Sequence, residues 1–161
     1  MDNLLIKKEL IIFASKQTSQ EGVFSEAFKC LQKKGYVFES YLDALIKRER
    51  EHPTALVLEN TNIAIPHVDP VHVKKNGIMM MTLKEPVIFN DMLDRRDVEV
   101  KYVFFLILNS GETHLGALSS LMSMMQSEDM IDAIKECKSK EDLYNVMVSY
   151  KNTLSQDQIS I

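Results

Sequence analysis

Val98-Glu99-Val100-Lys101-Tyr102-Val103-Phe104-Phe105-Leu106-Ile107-Leu108 is the stretch that decides the fold class. Its second half, from Tyr102, is apolar without a break. A strand with one wet face alternates apolar and polar residues, so an unbroken run predicts a central strand covered on both faces. It is strand length, and far too short to cross a bilayer. Upstream, Asn76-Gly77 marks a turn into a strand over Ile78–Leu83. Pro86 is expected to interrupt it, with Val87–Phe89 resuming. Two short strands fit Ala55–Leu58 and Ile63–Ile65, bounded by Glu59-Asn60-Thr61-Asn62 and by Pro66. A first strand fits Leu10–Ala14.

Helical spacing fills the remainder. Thr18 or Ser19 can cap a helix with Glu21 in its first turn, where negative charge opposes the helix dipole. Val23, Ala27, Cys30 and Leu31 form its apolar stripe, and Gly35 stops it. A second helix runs from Ser40 to about Arg50, burying Tyr41, Leu42, Leu45 and Ile46. Pro53 ends it by disfavouring helical geometry in the residue before it. After Asn109-Ser110-Gly111, Leu115, Leu118, Leu121, Met122 and Met125 recur at three and four. Two further helices fit Asp129–Cys137 and Lys140 to about Tyr150, the latter capped by Ser139. Residues 1–150 read as one domain and 151–161 as a polar, frayed tail. Helices on both sides of a strand block imply an α/β layered architecture.

Composition narrows the function classes. The 161 residues suffice for one buried core, and the net charge of −4 offers no basic footprint for nucleic acid. The basic run Lys47-Arg48-Glu49-Arg50 is broken by Glu49 and reads first as a solvated helix end. Cys30 and Cys137 lie far apart, which disfavours a disulfide framework or a zinc knuckle. Two lone thiols without a signal peptide suggest the cytosol. Ten methionines with no tryptophan fit either an adaptable core or a habit of composition.

Four histidines are the candidates for chemistry. His52, beside Pro53, and His72, in a polar connection, read as surface residues. His67 follows Ile63-Ala64-Ile65-Pro66, so it stands at a strand end on a loop fixed by a scaffold, where functional side chains concentrate. Pro66 restricts the backbone entering it. A histidine merely satisfied at a sheet end fits the same facts. His114 opens the amphipathic helix. The dipole there favours neutral imidazole, and unpaired N–H groups offer an anion site. A first-turn surface residue is the plainer alternative. There is no HExxH, Walker loop, GxGxxG or GxSxG elbow.

Ile63-Ala64-Ile65-Pro66-His67 resembles the phosphorylation-site motif of the IIA domains of the sugar phosphotransferase system, in the mannitol–fructose class. Arg48-Glu49 followed by Pro53-Thr54 resembles the Arg-Glu…Thr element that precedes this motif. His114, with Leu118 and Leu121 behind it, resembles the second histidine and its helix. The ordered set covers nearly the whole chain. From Ala44 through His67 the chain looks closest to galactitol-type IIA proteins, which share a longer Thr54-to-His67 stretch. Val68-Asp69 stands where mannitol and fructose domains usually carry glycine after the histidine.

The resemblance implies a mannitol-type IIA fold, a mixed β-sheet flanked by helices, forming a type 2 EIIA domain in the cytoplasm. It implies that phosphorylated HPr, the general phosphocarrier, gives a phosphoryl group to His67. His67 then passes it to a cysteine of a IIB partner, which serves a membrane IIC permease for galactitol or a related sugar or polyol. His114 would stabilise the phosphoryl group, Thr54 add a hydroxyl, and Arg48 supply charge or hold the site together. No cofactor and no metal enters this cycle. An ordinary imidazole, with a pKa near ~6.5, is largely neutral at pH 7 and can attack phosphorus unaided. Val68 and Met92 are expected at the centre of the partner-binding face. Two rivals stand beside this reading. One is a regulatory IIA-like sensor acting by protein binding. The other is a metal enzyme using His67, Asp69, His72 and His114.

Overall fold

The computed structural model describes residues 6–159, and their side chains apart from 111–115, 117 and 151–159. Along the chain come β1 (Ile6–Ser15), α1 (Gln20–Lys33), α2 (Tyr41–Glu51), β2 (Ala55–Val57), β3 (Asn62–Ala64), β4 (Gly77–Asn90) and β5 (Asp97–Ile107). α3 (Gly111–Met125), α4 (Glu128–Lys135) and α5 (Lys140–Ile159) complete it. The strands form one mixed sheet in the order β1-β4-β5-β3-β2. β1 runs parallel to β4, β4 antiparallel to β5, β5 parallel to β3, and β3 antiparallel to β2. β5 is therefore central, as its apolar run requires, and residues 103–108 are all buried.

Alternation along β4 and β5 feeds two cores. Met79, Met81, Val103, Phe105 and Ile107 pack with Val23, Phe24, Leu31, Tyr41 and Leu45 of α1, α2 and their flanks. Ile78, Met80, Phe104 and Leu106 pack with Leu121, Met124, Met130, Ile134, Leu143 and Met147 of α3, α4 and α5. Helices thus cover both faces. Among the described residues, no helix is long and apolar enough to cross a membrane.

The caps explain the helix starts. Ser19 takes the N-cap of α1, its hydroxyl accepting from Gly22 N–H at 3.0 Å. Gly35 has φ +79°, the left-handed geometry that ends the helix at little steric cost. Ser139 accepts from Asp142 N–H at 3.1 Å, while the Asp142 carboxylate accepts from Lys138 N–H at 3.1 Å.

Three expectations need correction. Pro86 does not interrupt β4. It is exposed and falls in the register break between Thr82 and Val87, where no ladder N–H is needed. β1 begins four residues before Leu10, because Ile6 pairs with Ile78 of β4. α5 runs on to Ile159, so helical backbone extends into the stretch read as a tail.

The long β4–β5 hairpin also reaches the far edge of the sheet. Ala55 bridges Asp91, and Met92 N–H donates to the Ala55 carbonyl at 2.8 Å. Arg95, at φ +64°, donates from Nη2 to the Glu51 carbonyl at 2.8 Å. The hairpin tip thereby covers backbone at the start of β2, which would otherwise be an open sheet edge.

Candidate active site

His67 extends the line of β3 beyond its last paired residue. It bridges Leu106 of β5, and Leu106 N–H donates to the Pro66 carbonyl at 3.1 Å. The imidazole is half-buried, and its Nδ1 lies 2.8 Å from the Ile65 carbonyl. A carbonyl only accepts, so Nδ1 must carry the proton. In the neutral ring the lone pair then sits on Nε2. Local sequence produces this geometry: Ile63, Ala64 and Ile65 are wholly buried, and Pro66 fixes φ just before the histidine. What results is an imidazole held in one orientation at a strand end.

Arg48 and Thr54 arrive from the preceding segment. Arg48, near the end of α2, places Nη1 3.5 Å from the Asp69 carboxylate, two residues past His67. Its Nε is buried and has no hydrogen-bond partner among the described residues. Arg48 also lines a cleft of about 230 Å³ with Lys47, His52, Val68, Asp69 and His72. The cleft wall sets two cations, Lys47 and Arg48, against two carboxylates, Glu51 and Asp69, beside the His67 loop. Thr54 lies two residues from His67 through its backbone, its carbonyl accepting from Ile65 N–H at 3.3 Å. Its hydroxyl meets Glu49 at 2.6 and 2.9 Å.

His114 lies in the first turn of α3, three residues after Gly111, and its side chain is outside the described residues. α3 follows closely on the end of β5 that His67 bridges, so its N-terminus belongs to the same end of the sheet. His52 is exposed, as expected. His72 is half-buried and shares a 2.8 Å hydrogen bond with the Ser40 hydroxyl. Among the described residues, no three or more of His, Cys, Asp and Glu gather as metal ligands. Val68 corrects an expectation: at 3% exposure it belongs to the core and cannot centre a docking face. Met92 is 44% exposed, and the open apolar side chain next to the loop is Val71, at 74%.

Sequence reasoning passed over Glu49 as a site residue. It is 4% exposed, and burial pushes its carboxyl up to about 7, against the hydrogen bonds from Thr54 and the nearby charge of Arg48. The signal was present: Glu49 is four residues from Leu45 on the buried stripe of α2, an odd place for a carboxylate.

Known proteins now bear on this geometry. Residues 4–150 match the model of the family described as phosphoenolpyruvate-dependent sugar phosphotransferase system, EIIA 2. The galactitol-specific EIIA component of Escherichia coli is 35% identical over 101 residues, covering 63% of this chain and 67% of that protein. A multiphosphoryl transfer protein of Vibrio cholerae is 29% identical over 138 residues, 84% of this chain but 31% of that protein. The crystal structure of the mannitol IIA of Escherichia coli superposes with a TM-score of 0.71 at 25% identity, covering 87% of this chain and 96% of that one. The same IIA in complex with phosphorylated mannitol IIB gives 0.73 at 24% identity, covering 88% and 95%. The fold is that of the mannitol-type IIA domains, and the chain belongs to the EIIA type 2 family of the phosphoenolpyruvate-dependent sugar phosphotransferase system.

Proposed function

We propose that residues 1–150 act as one phosphoryl-carrying domain in the cytoplasm, with His67 as the residue phosphorylated. The Nδ1–H···O=C bond to Ile65 carries this reading, because it orients the imidazole and leaves the electron pair on Nε2. In the first half-reaction, Nε2 attacks the phosphorus of phosphorylated HPr. The new N–P bond forms as the bond to the donor atom breaks, and the electron pair leaves with HPr. In the second, a cysteine thiolate of the IIB partner attacks the same phosphorus. An S–P bond forms, the N–P bond breaks, and its pair returns to Nε2. No cofactor is needed, since phosphoryl transfer asks for positioning and for stabilised oxygens.

Arg48 supplies cationic charge beside the loop, and Thr54 holds the strand that carries His67. His114 and the N-terminus of α3 stabilise the phosphoryl oxygens. The likeness to a galactitol-specific EIIA component supports a IIB and IIC pair that imports galactitol or a related polyol.

The test is incubation with enzyme I, HPr and phosphoenolpyruvate, followed by intact mass and site mapping. Wild type takes one phosphoryl group on His67, and addition of the galactitol IIB removes it. His67→Ala takes none while keeping its circular dichroism. A phosphorylated chain that yields nothing to any IIB supports a regulatory sensor instead.

A further inference from the structure

Glu49 does something the cycle above does not use. It lies on the core-facing side of α2 and is 4% exposed. Its carboxylate accepts from Thr54 N–H at 3.0 Å and from the Thr54 hydroxyl at 2.6 and 2.9 Å. The charge that acts on it is that of Arg48, its neighbour on the same helix. A carboxyl group in a dry core is costly, and packing alone would favour leucine here.

We propose that Glu49 is a positioning residue for His67, fixing the place and tautomer of the imidazole through Thr54 and Ile65. This rests on the reading of His67 as the nucleophile.

The chain of contacts is continuous. Glu49 holds Thr54 by two donors, the Thr54 carbonyl holds Ile65 N–H at 3.3 Å, and the Ile65 carbonyl holds Nδ1 at 2.8 Å. Thr54 and Ile65 are both buried, at 3% and 1% exposure. Without Glu49, two Thr54 donors lose their acceptor where water cannot replace it, and the segment entering β2 must shift. Ile65 follows, because its N–H is bound to that segment. The second anchor, Leu106 N–H on the Pro66 carbonyl, lies on the opposite side of the strand. Two anchors thus hold the residues before His67: β5 on one side, the Glu49–Thr54 pair on the other. Protonation of Glu49 does not break the Glu49–Thr54 anchor. A protonated carboxyl donates to the Thr54 hydroxyl oxygen and still accepts from Thr54 N–H.

The test uses the full chain, with phosphorylated HPr and with phosphoramidate, a small donor that needs no docking surface. Glu49→Ala is expected to slow single-turnover phosphorylation about tenfold or more with either donor, as a misplaced nucleophile does. The concentration of HPr giving half the maximal rate stays unchanged. The ring-nitrogen NMR signals of His67 move from a single Nδ1–H tautomer toward a mixture. Glu49→Gln, which still offers Thr54 an acceptor, recovers most of the rate. Should Glu49→Ala fail to fold, Glu49→Asp carries the same test, since its shorter side chain withdraws the carboxylate from Thr54. A folded Ala or Asp variant with wild-type rate and an unchanged tautomer overturns the proposal. If His67→Ala still accepts a phosphoryl group, the nucleophile reading itself falls. If it does not, but the Glu49 variants run normally, only the positioning role falls.

Discussion

The two faces of the sheet are packed with different materials. Toward α1 and α2 the buried core is aromatic: Phe24, Tyr36, Tyr41, Phe89 and Phe105. Phe24 meets Phe89 and Phe105 edge-on, at 6.0 Å between centroids in each case. Toward α3, α4 and α5 the buried core is aliphatic and sulfur-rich: Met80, Met124, Met125, Met130 and Met147 with isoleucines and leucines, and Phe104 is its one buried aromatic among the described residues. Aromatic pairs prefer particular angles, whereas the unbranched thioether adapts to the space it is given. The Glu49–Thr54 pair lies on the aromatic side, where α2 must hold one position for its buried carboxylate to meet Thr54. The methionines therefore have a location as well as a count. Among the described residues, five of the seven buried methionines lie under the three helices that follow β5, and Met79 and Met81 lie on the aromatic side.

The difference is first exposed by truncation at the aromatic hub. Phe24 is 1% exposed and contacts two rings. Phe24→Ala is expected to cost about 3–5 kcal/mol in urea unfolding, combining a large cavity with the loss of two edge-to-face contacts. It should also reduce phosphorylation, because α1 and α2 share this core. A cost below about 2 kcal/mol would mean that the aromatic face collapses as readily as an aliphatic one, and the contrast would fail.

The next effect belongs to the buried carboxyl on that face. Glu49 is held up at about 7, against 4.5 for the ordinary group. Between those values the unfolded chain releases its proton while the native state keeps it. Stability therefore falls as pH rises through this window and levels off above it. At about 1.4 kcal/mol per pH unit, the gap sets a ceiling of about 3 kcal/mol. Glu49→Gln does not titrate, so its urea midpoint should change less between about pH 5 and pH 7.5 than that of wild type. Equal slopes would show that Glu49 titrates normally and is wetter than its packing implies.

The contrast also shows what a sequence exposes and what it hides. The run from Tyr102 to Leu108 announces a central strand, since no half-exposed strand could carry it. Ser19 and Gly35 announce the ends of α1, because caps are local chemistry. The place of His67 at a strand end was legible for the same reason: a proline and a buried strand precede it directly. Pro86 misled because its local rule was right and its context was not. Proline breaks a ladder only where an N–H is needed, and the register gap that excuses it is set by β5, between Val100 and Tyr102. Glu49 and Val68 hid for the complementary reason. Burial of Glu49 depends on Thr54, and burial of Val68 on a core assembled from distant strands and helices. How the hairpin tip would reach Ala55 likewise depended on contacts far along the chain.

The smallest expected effect is the sharpest test. Met124 on α3 is 1% exposed, in the methionine-rich core. Met124→Leu conserves volume and hydrophobicity, so it should cost less than about 1.5 kcal/mol. Phe24→Leu on the other face should cost more, because leucine replaces neither ring edge. The two residues belong to separate clusters divided by the sheet, and they share no packing partner there. Their costs should then add to within about 0.5 kcal/mol in the double variant. Coupling well above that would mean that β4 and β5 move when either face is repacked. Strain would then pass through Phe104 and Phe105, neighbours in sequence that point to opposite cores. Additivity would instead show the sheet acting as a rigid partition, so that the Glu49 anchor of His67 is insulated from changes under α3.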